Sequence, residues 1–139
     1  ASQAGGVQFE GGINLSCGPL PQQVSPGEPF PVALQWTLSQ ATPGYAVFLH
    51  LADQTSKPWG QSDGDPVNGL RPFPHFEPGQ PVLDCRAVLR APETPPGRYT
   101  VLVGLYRRDT GQRLHVSSGP DGGADAHIIG EVQVVSGPR

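Results

Sequence analysis

Pro95-Pro96-Gly97-Arg98-Tyr99-Thr100-Val101-Leu102-Val103-Gly104-Leu105-Tyr106, followed by Asp109-Thr110-Gly111-Gln112, decides the fold of this 139-residue chain. Two prolines and a glycine force a reversal: proline fixes φ and lacks a backbone donor, and glycine accepts the conformations a turn needs. A β-branched and aromatic run follows, with Tyr99, Val101, Val103 and Leu105 on one face of an extended strand. The same period of two recurs outward from this segment. Phe30, Val32, Leu34, Trp36 and Leu38 alternate with Pro31, Ala33, Gln35 and Thr37. Residues 45–51 place Tyr45, Val47, Leu49 and Leu51 on one face, with Phe48 and His50 opposite, so neither face is fully wet. Residues 82–89 are expected to turn Leu83, Cys85, Ala87 and Leu89 inward, leaving Asp84, Arg86 and Arg90 outward beside Val82 and Val88. Short strands are expected at 7–9 and 13–16, kinked at Gly11-Gly12, and at 59–61 and 113–116. A last strand over 126–135 aligns Ile128, Gly130, Val132 and Val134. Turns fall at Pro26-Gly27 and Pro43-Gly44. About seven to nine short strands with no helical window imply an all-β, immunoglobulin-like antiparallel two-sheet β-sandwich.

Composition agrees. Gly (19) and Pro (17) make about a quarter of the chain, and the apolar alternation between them assigns them to tight turns rather than to disorder. The expected organisation is a flexible lead over 1–6, one sandwich domain over 7–135 and a tail over 136–139. The net charge is -3, Lys57 is the one lysine, and the arginines are scattered, which argues against a nucleic-acid partner. No apolar run is long enough to span a bilayer. A small, polar start, Ala1-Ser2-Gln3-Ala4-Gly5-Gly6, and the absence of methionine fit either a processed mature chain, as after signal cleavage, or an excised domain. Cys17 and Cys85 are too few for a disulfide scaffold or a structural zinc site. They form either one disulfide, worth roughly 4 kcal/mol for so long a loop, or two reduced thiols.

Signals of catalysis are missing. The chain has no His-Glu-x-x-His and no phosphate loop, and His50, His75, His115 and His127 lie in different segments. The expectation is a protein that is not an enzyme and has no cofactor, metal or catalytic residue. Asp63, Asp65 and Asn68 have the oxygen ligands calcium takes, but Val67 and the late Gly69 break the spacing, and Asx turns account for them. Asp121, Asp125 and His127 form a weaker set, expected in a solvated loop.

Trp59 and the Pro/Gly-rich connection over 63–80 carry the candidate binding residues. Trp59, Phe73, His75 and Phe76 offer aromatic faces that stack on sugar rings, and Asp63, Asp65, Asn68 and Arg71 offer groups that bond hydroxyls. The competing arrangement folds the connection over an open end of the sandwich and buries Leu70, Phe73 and Phe76 as a small core. Trp36, mid-strand on the inward face, is expected in the core, and Tyr99 is expected to be a corner tyrosine bonded to backbone.

Several segments carry a family resemblance: Pro21-Gln22-Gln23-Val24-Ser25-Pro26-Gly27-Glu28, Ala46-Val47-Phe48-Leu49-His50-Leu51, Asp63-Gly64-Asp65-Pro66-Val67-Asn68-Gly69-Leu70, Glu77-Pro78-Gly79-Gln80, Pro95 to Tyr106, and Thr110-Gly111-Gln112-Arg113-Leu114. Together they resemble the extracytoplasmic C-terminal β-sandwich domains appended to multi-pass, lipid-linked-sugar glycosyltransferases of Chloroflexi-like bacteria. The two cysteines depart from that pattern, as does Arg71-Pro72-Phe73-Pro74-His75-Phe76, with phenylalanine where the pattern has tryptophan ahead of the Pro-Gly turn. The resemblance implies a non-catalytic accessory or binding module associated with cell-envelope glycosylation, with a glycan or an envelope protein as partner. Two alternatives stand beside it. One is a secreted structural subunit, of filament or surface-layer type, that self-assembles through its edge strands. The other is a carbohydrate-binding module that uses the aromatic loop.

Overall fold

The computed structural model describes residues 6–25, 29–55, 57–67, 70–90, 94–118 and 122–135, with the side chains of 89, 90 and 118 left aside. Residues 1–5 of the expected lead over 1–6, the Pro26-Gly27 turn, Asn68, Asp121 and the tail over 136–139 lie outside the described residues. Ten strands lie among them: β1 (Val7–Phe9), β2 (Ile13–Cys17), β3 (Gln23–Val24), β4 (Phe30–Leu38), β5 (Ala46–Ala52), β6 (Pro58–Gln61), β7 (Val82–Arg90), β8 (Gly97–Tyr106), β9 (Val116–Ser118) and β10 (His127–Val134).

They form the expected sandwich of two five-stranded sheets, β9-β1-β2-β4-β7 and β3-β10-β8-β5-β6. Along one flank the sheets are joined, where Gly60 and Gln61 of β6 pair with Arg90 and Leu89 of β7. Among the described residues the other flank has no such join and is bounded by the short strands β3 and β9. All pairings are antiparallel except that of β3 with β10, which the sequence reading did not include. Residues 113–116 do return toward β8, through a bridge of Arg113 to Tyr106, but β9 itself pairs with β1.

β4 realises the alternation in full. Phe30, Val32, Leu34, Trp36 and Leu38 are buried, and Trp36 lies at the centre with Phe9 at 6.5 Å and Phe73 edge-on at 5.3 Å between ring centroids. Both faces of β5 are covered. Its outer face is sheltered because Phe48 lies over Gly104 of β8, flanked by His50 and Tyr106, with the Arg113 guanidinium 4.3 Å above the Phe48 ring. A Cβ on Gly104 would overlap that ring. Gly104→Ala is therefore expected to cost about 1–3 kcal/mol in urea unfolding, with much of it recovered in the Phe48→Leu background. An unchanged midpoint would mean that the ring does not rest there.

Two expected strand faces are corrected. In β7 the inward residues are Val82, Asp84, Arg86 and Val88, while Leu83, Cys85 and Ala87 face out. The whole strand is one residue out of phase with the expectation, which exchanges every side chain between core and solvent. In β10 a bulge between Ile128 and Gly130 turns Ile129 inward and leaves Ile128 about half exposed. The cysteines follow from the first correction. Cys17 on β2 is buried, Cys85 on β7 is exposed, β4 runs between them, and no disulfide joins them. Opposite faces of a sheet two strands apart cannot meet disulfide geometry.

Candidate functional site

The inward phase of β7 puts two charges between the sheets. Asp84 and Arg86 are almost wholly buried and bond each other, Nε to Oδ2, at 3.0 Å. Buried ions need every remaining donor and acceptor engaged. Asp84 also accepts from Trp36 Nε1 at 3.0 Å and from the backbone N–H of Val67 at 2.9 Å. Arg86 donates to the carbonyls of Ser62 and Gly64, each at 3.0 Å. The pair thus clamps the start of the connection between β6 and β7.

That clamp explains the path of the connection. Ser62 and Gly64 run beside β5, bonded to Leu49 and Val47. Val67 adopts φ of 57°, a left-handed conformation that costs a β-branched residue about 1–2 kcal/mol, and its N–H is held by Asp84. The chain then reaches a 3-10 turn over Phe73–His75, with Phe73 and Phe76 buried 5.2 Å apart against Trp36. So the small-core arrangement holds for Phe73 and Phe76. It fails for Leu70, which is exposed.

The sequence-derived binding set therefore does not converge. Phe73 and Phe76 are core residues and present no open face. His75 is exposed, and Arg71 lies over Phe76 at 5.8 Å. Asp63 accepts from the Leu49 N–H at 3.2 Å and has His50 Nε2 at 3.5 Å. Asp65 pairs with Arg108, beyond the far end of β8. Trp59 stands at the other end of the sandwich, where β5 finishes and β8 begins. Among the described residues no group of three or more His, Cys, Asp or Glu side chains is placed to hold a metal.

Trp59 belongs to a different constellation. It lines a cleft of about 320 Å³ together with Asp53, Gln54, Thr55 and residues 95–99. Its indole N–H donates to Asp53 Oδ2 at 2.9 Å, and the Lys57 ammonium sits 4.1 Å from the ring centroid. Asp53 Oδ1 accepts from the Thr55 hydroxyl at 2.7 Å, the Thr55 N–H at 2.8 Å and the Lys57 N–H at 3.0 Å. The bond from the Thr55 hydroxyl, followed by that from Trp59, holds the Asp53 carboxyl well below the usual carboxylate range. At the back of the cleft Tyr99 donates its hydroxyl to the Pro95 carbonyl at 2.6 Å, the corner geometry expected of it. Burial, and then the Asp53 charge, push the Tyr99 phenol above its ordinary value of 10.0.

A pH dependence follows from Asp53. A depressed folded-state value stabilises the hairpin at all pH above the unfolded value of 3.8, and that contribution disappears as pH falls through the lower folded value. The Trp59 indole N–H resonance is expected to keep its position at pH 4, where ordinary carboxylates are half titrated. A shift centred near the unfolded value would break the assigned bond.

Asp53 and the 95–99 wall were not among the sequence-derived site residues. The Pro-Pro-Gly turn was visible in the sequence, but only the pairing of Ala52 with Thr100 brings it to the β5–β6 hairpin where Asp53 lies.

No protein-family model matches the sequence, and no curated protein matches it. Solved structures do match in fold. The chain is similar to part of a β-glucosidase from Listeria innocua, solved in complex with gluconolactone and with glucose, each at 15% identity and a TM-score of 0.56. The complex with isofagomine matches at 15% identity and a TM-score of 0.52. Each match takes in 94% of this chain but only 16–17% of the β-glucosidase chain. At this identity the likeness establishes the sandwich and nothing finer. Among the described residues no helix is long and apolar enough to cross a membrane.

Proposed function

We propose that this chain is a non-catalytic β-sandwich module that works outside the cytoplasm, as an accessory to cell-envelope glycosylation. The observation that carries this reading is the proportion of the structural match. The fold of this chain matches about one sixth of a much longer β-glucosidase chain, which supports a module operating beside other parts of a protein. The polar groups add support. Asp84 and Arg86 are spent on holding the connection, and Asp53 is spent on its own hairpin. The sequence resemblance to domains appended to lipid-linked-sugar glycosyltransferases supplies the envelope context.

Cys85 provides the test, because its thiol is on the surface while Cys17 is enclosed. In intact producing cells, a membrane-impermeant maleimide is expected to label Cys85, and the purified chain is expected to release no nitrophenol from aryl glucosides. Labelling only after lysis overturns the extracytoplasmic placement. Turnover that copurifies with the chain overturns the non-catalytic reading.

A further inference from the structure

We propose that the cleft between Trp59 and residues 95–99 binds one pyranose ring of a neutral glycan. The inference rests on the accessory-module reading and gives that module a ligand class and a place to hold it.

The first ground is the state of the indole. Trp59 is half-buried at the surface, yet its N–H is bonded to Asp53 and its ring is overlain by Lys57. Asp53 is itself fixed by three bonds from Thr55 and Lys57. The ring has therefore lost its rotamer freedom before any ligand arrives, and ordering an interface side chain is one of the main costs of binding. Pro95 and Pro96 form a second exposed, rigid wall, and the ring of Tyr99 closes the back.

The second ground is chemical fit. The lining combines an aromatic and two prolines with the amide, hydroxyl and guanidinium groups of Gln54, Thr55 and Arg98. An apolar face with a few polar groups beside it is what a pyranose needs, since the ring carries a C–H face and a rim of hydroxyls. Charge favours a neutral ligand. Both oxygens of Asp53 are engaged, and Arg98 lies 3.7 Å from Glu131. At about 320 Å³ the cleft is at the small end of ligand sites, enough for a short segment and not for a long chain. A proline-rich peptide fits less well. Such peptides dock into grooves lined by several aromatics, whereas Tyr99 is only 3% exposed with its hydroxyl tied to Pro95, so Trp59 is the one aromatic of the lining that is not enclosed.

The experiment is an NMR titration of the intact chain with methyl pyranosides of glucose, galactose and mannose, following the two indole N–H signals. The Trp59 signal is expected to move with at least one sugar, while that of the enclosed Trp36 stays fixed. Trp59→Ala is expected to weaken binding about tenfold or more. Pro96→Arg, at an exposed wall position outside the Asp53 bonds, is expected to block the cleft with the melting temperature retained. It keeps the test decisive if Trp59→Ala unfolds. A still Trp59 signal with all three sugars, equal movement of both indoles, or a response that survives Pro96→Arg each overturns the proposal. So does a Trp59 shift produced by a proline-rich peptide and by no sugar. Any of these would leave the maleimide and turnover results untouched, so the failure of the site and the failure of the accessory reading remain separate.

Discussion

Replacing Asp84 with alanine is expected to destabilise the protein by about 3–5 kcal/mol, the range for removing one partner of a buried ion pair. In a domain of this size that lowers the melting temperature by roughly 10–20 °C. The loss is large because a single carboxylate serves three donors: the Arg86 guanidinium, the Trp36 indole and the Val67 N–H. Its removal leaves the Arg86 charge buried with only carbonyls to face. It also frees Val67 from the contact that holds its left-handed backbone. Faster proteolysis within residues 62–71 should accompany the loss of stability, since that segment hangs from the clamp. The double substitution Asp84→Leu with Arg86→Leu is expected to be more stable than Asp84→Ala alone, because no orphaned charge remains. A single-variant change below about 1 kcal/mol would show that the network is ornamental.

Phe73→Ala carries the second large expectation, again about 3–5 kcal/mol, from lost burial plus the cavity left behind. Phe73 is fully enclosed and touches both Trp36 and Phe76. Thermal unfolding checks it directly. The contrast with Trp59→Ala, a half-buried surface residue, separates an aromatic that builds the molecule from one that is available to a ligand. If Phe73→Ala melts like the parent, the connection is not part of the core, and the original aromatic platform would have to be reconsidered.

The fold was legible where alternation was unambiguous. β4 matches its expected bounds residue for residue, because no other period fits Phe30 to Leu38. The corner role of Tyr99 was legible from the Pro-Pro-Gly turn ahead of it. β7 misled because Leu83, Cys85 and Ala87 form as good an apolar row as Val82 and Val88. Hydropathy alone would never place Asp84 and Arg86 inside. Only the donors waiting there, Trp36 and the turn at Val67, make the opposite phase favourable. Those partners are 48 and 17 residues away along the chain, beyond the reach of a local pattern. The site suffered in the same way. Trp59 was picked out by its residue type, but its neighbours in sequence proved to be its neighbours only in part. Asp53 joins it through the β5–β6 hairpin and the proline wall through the pairing of β5 with β8, while Phe73 and Phe76 turn inward at the other end.

The pairing of Gly60 and Gln61 with Arg90 and Leu89 gives the two layers a spine. A sandwich without one can shear, each layer sliding over the other. This one is bound like a book, joined along the spine and bounded at the fore-edge by the short strands β3 and β9. Trp59 directly precedes the spine on β6, so the ring proposed to meet a ligand stands beside the seam that holds the two layers together.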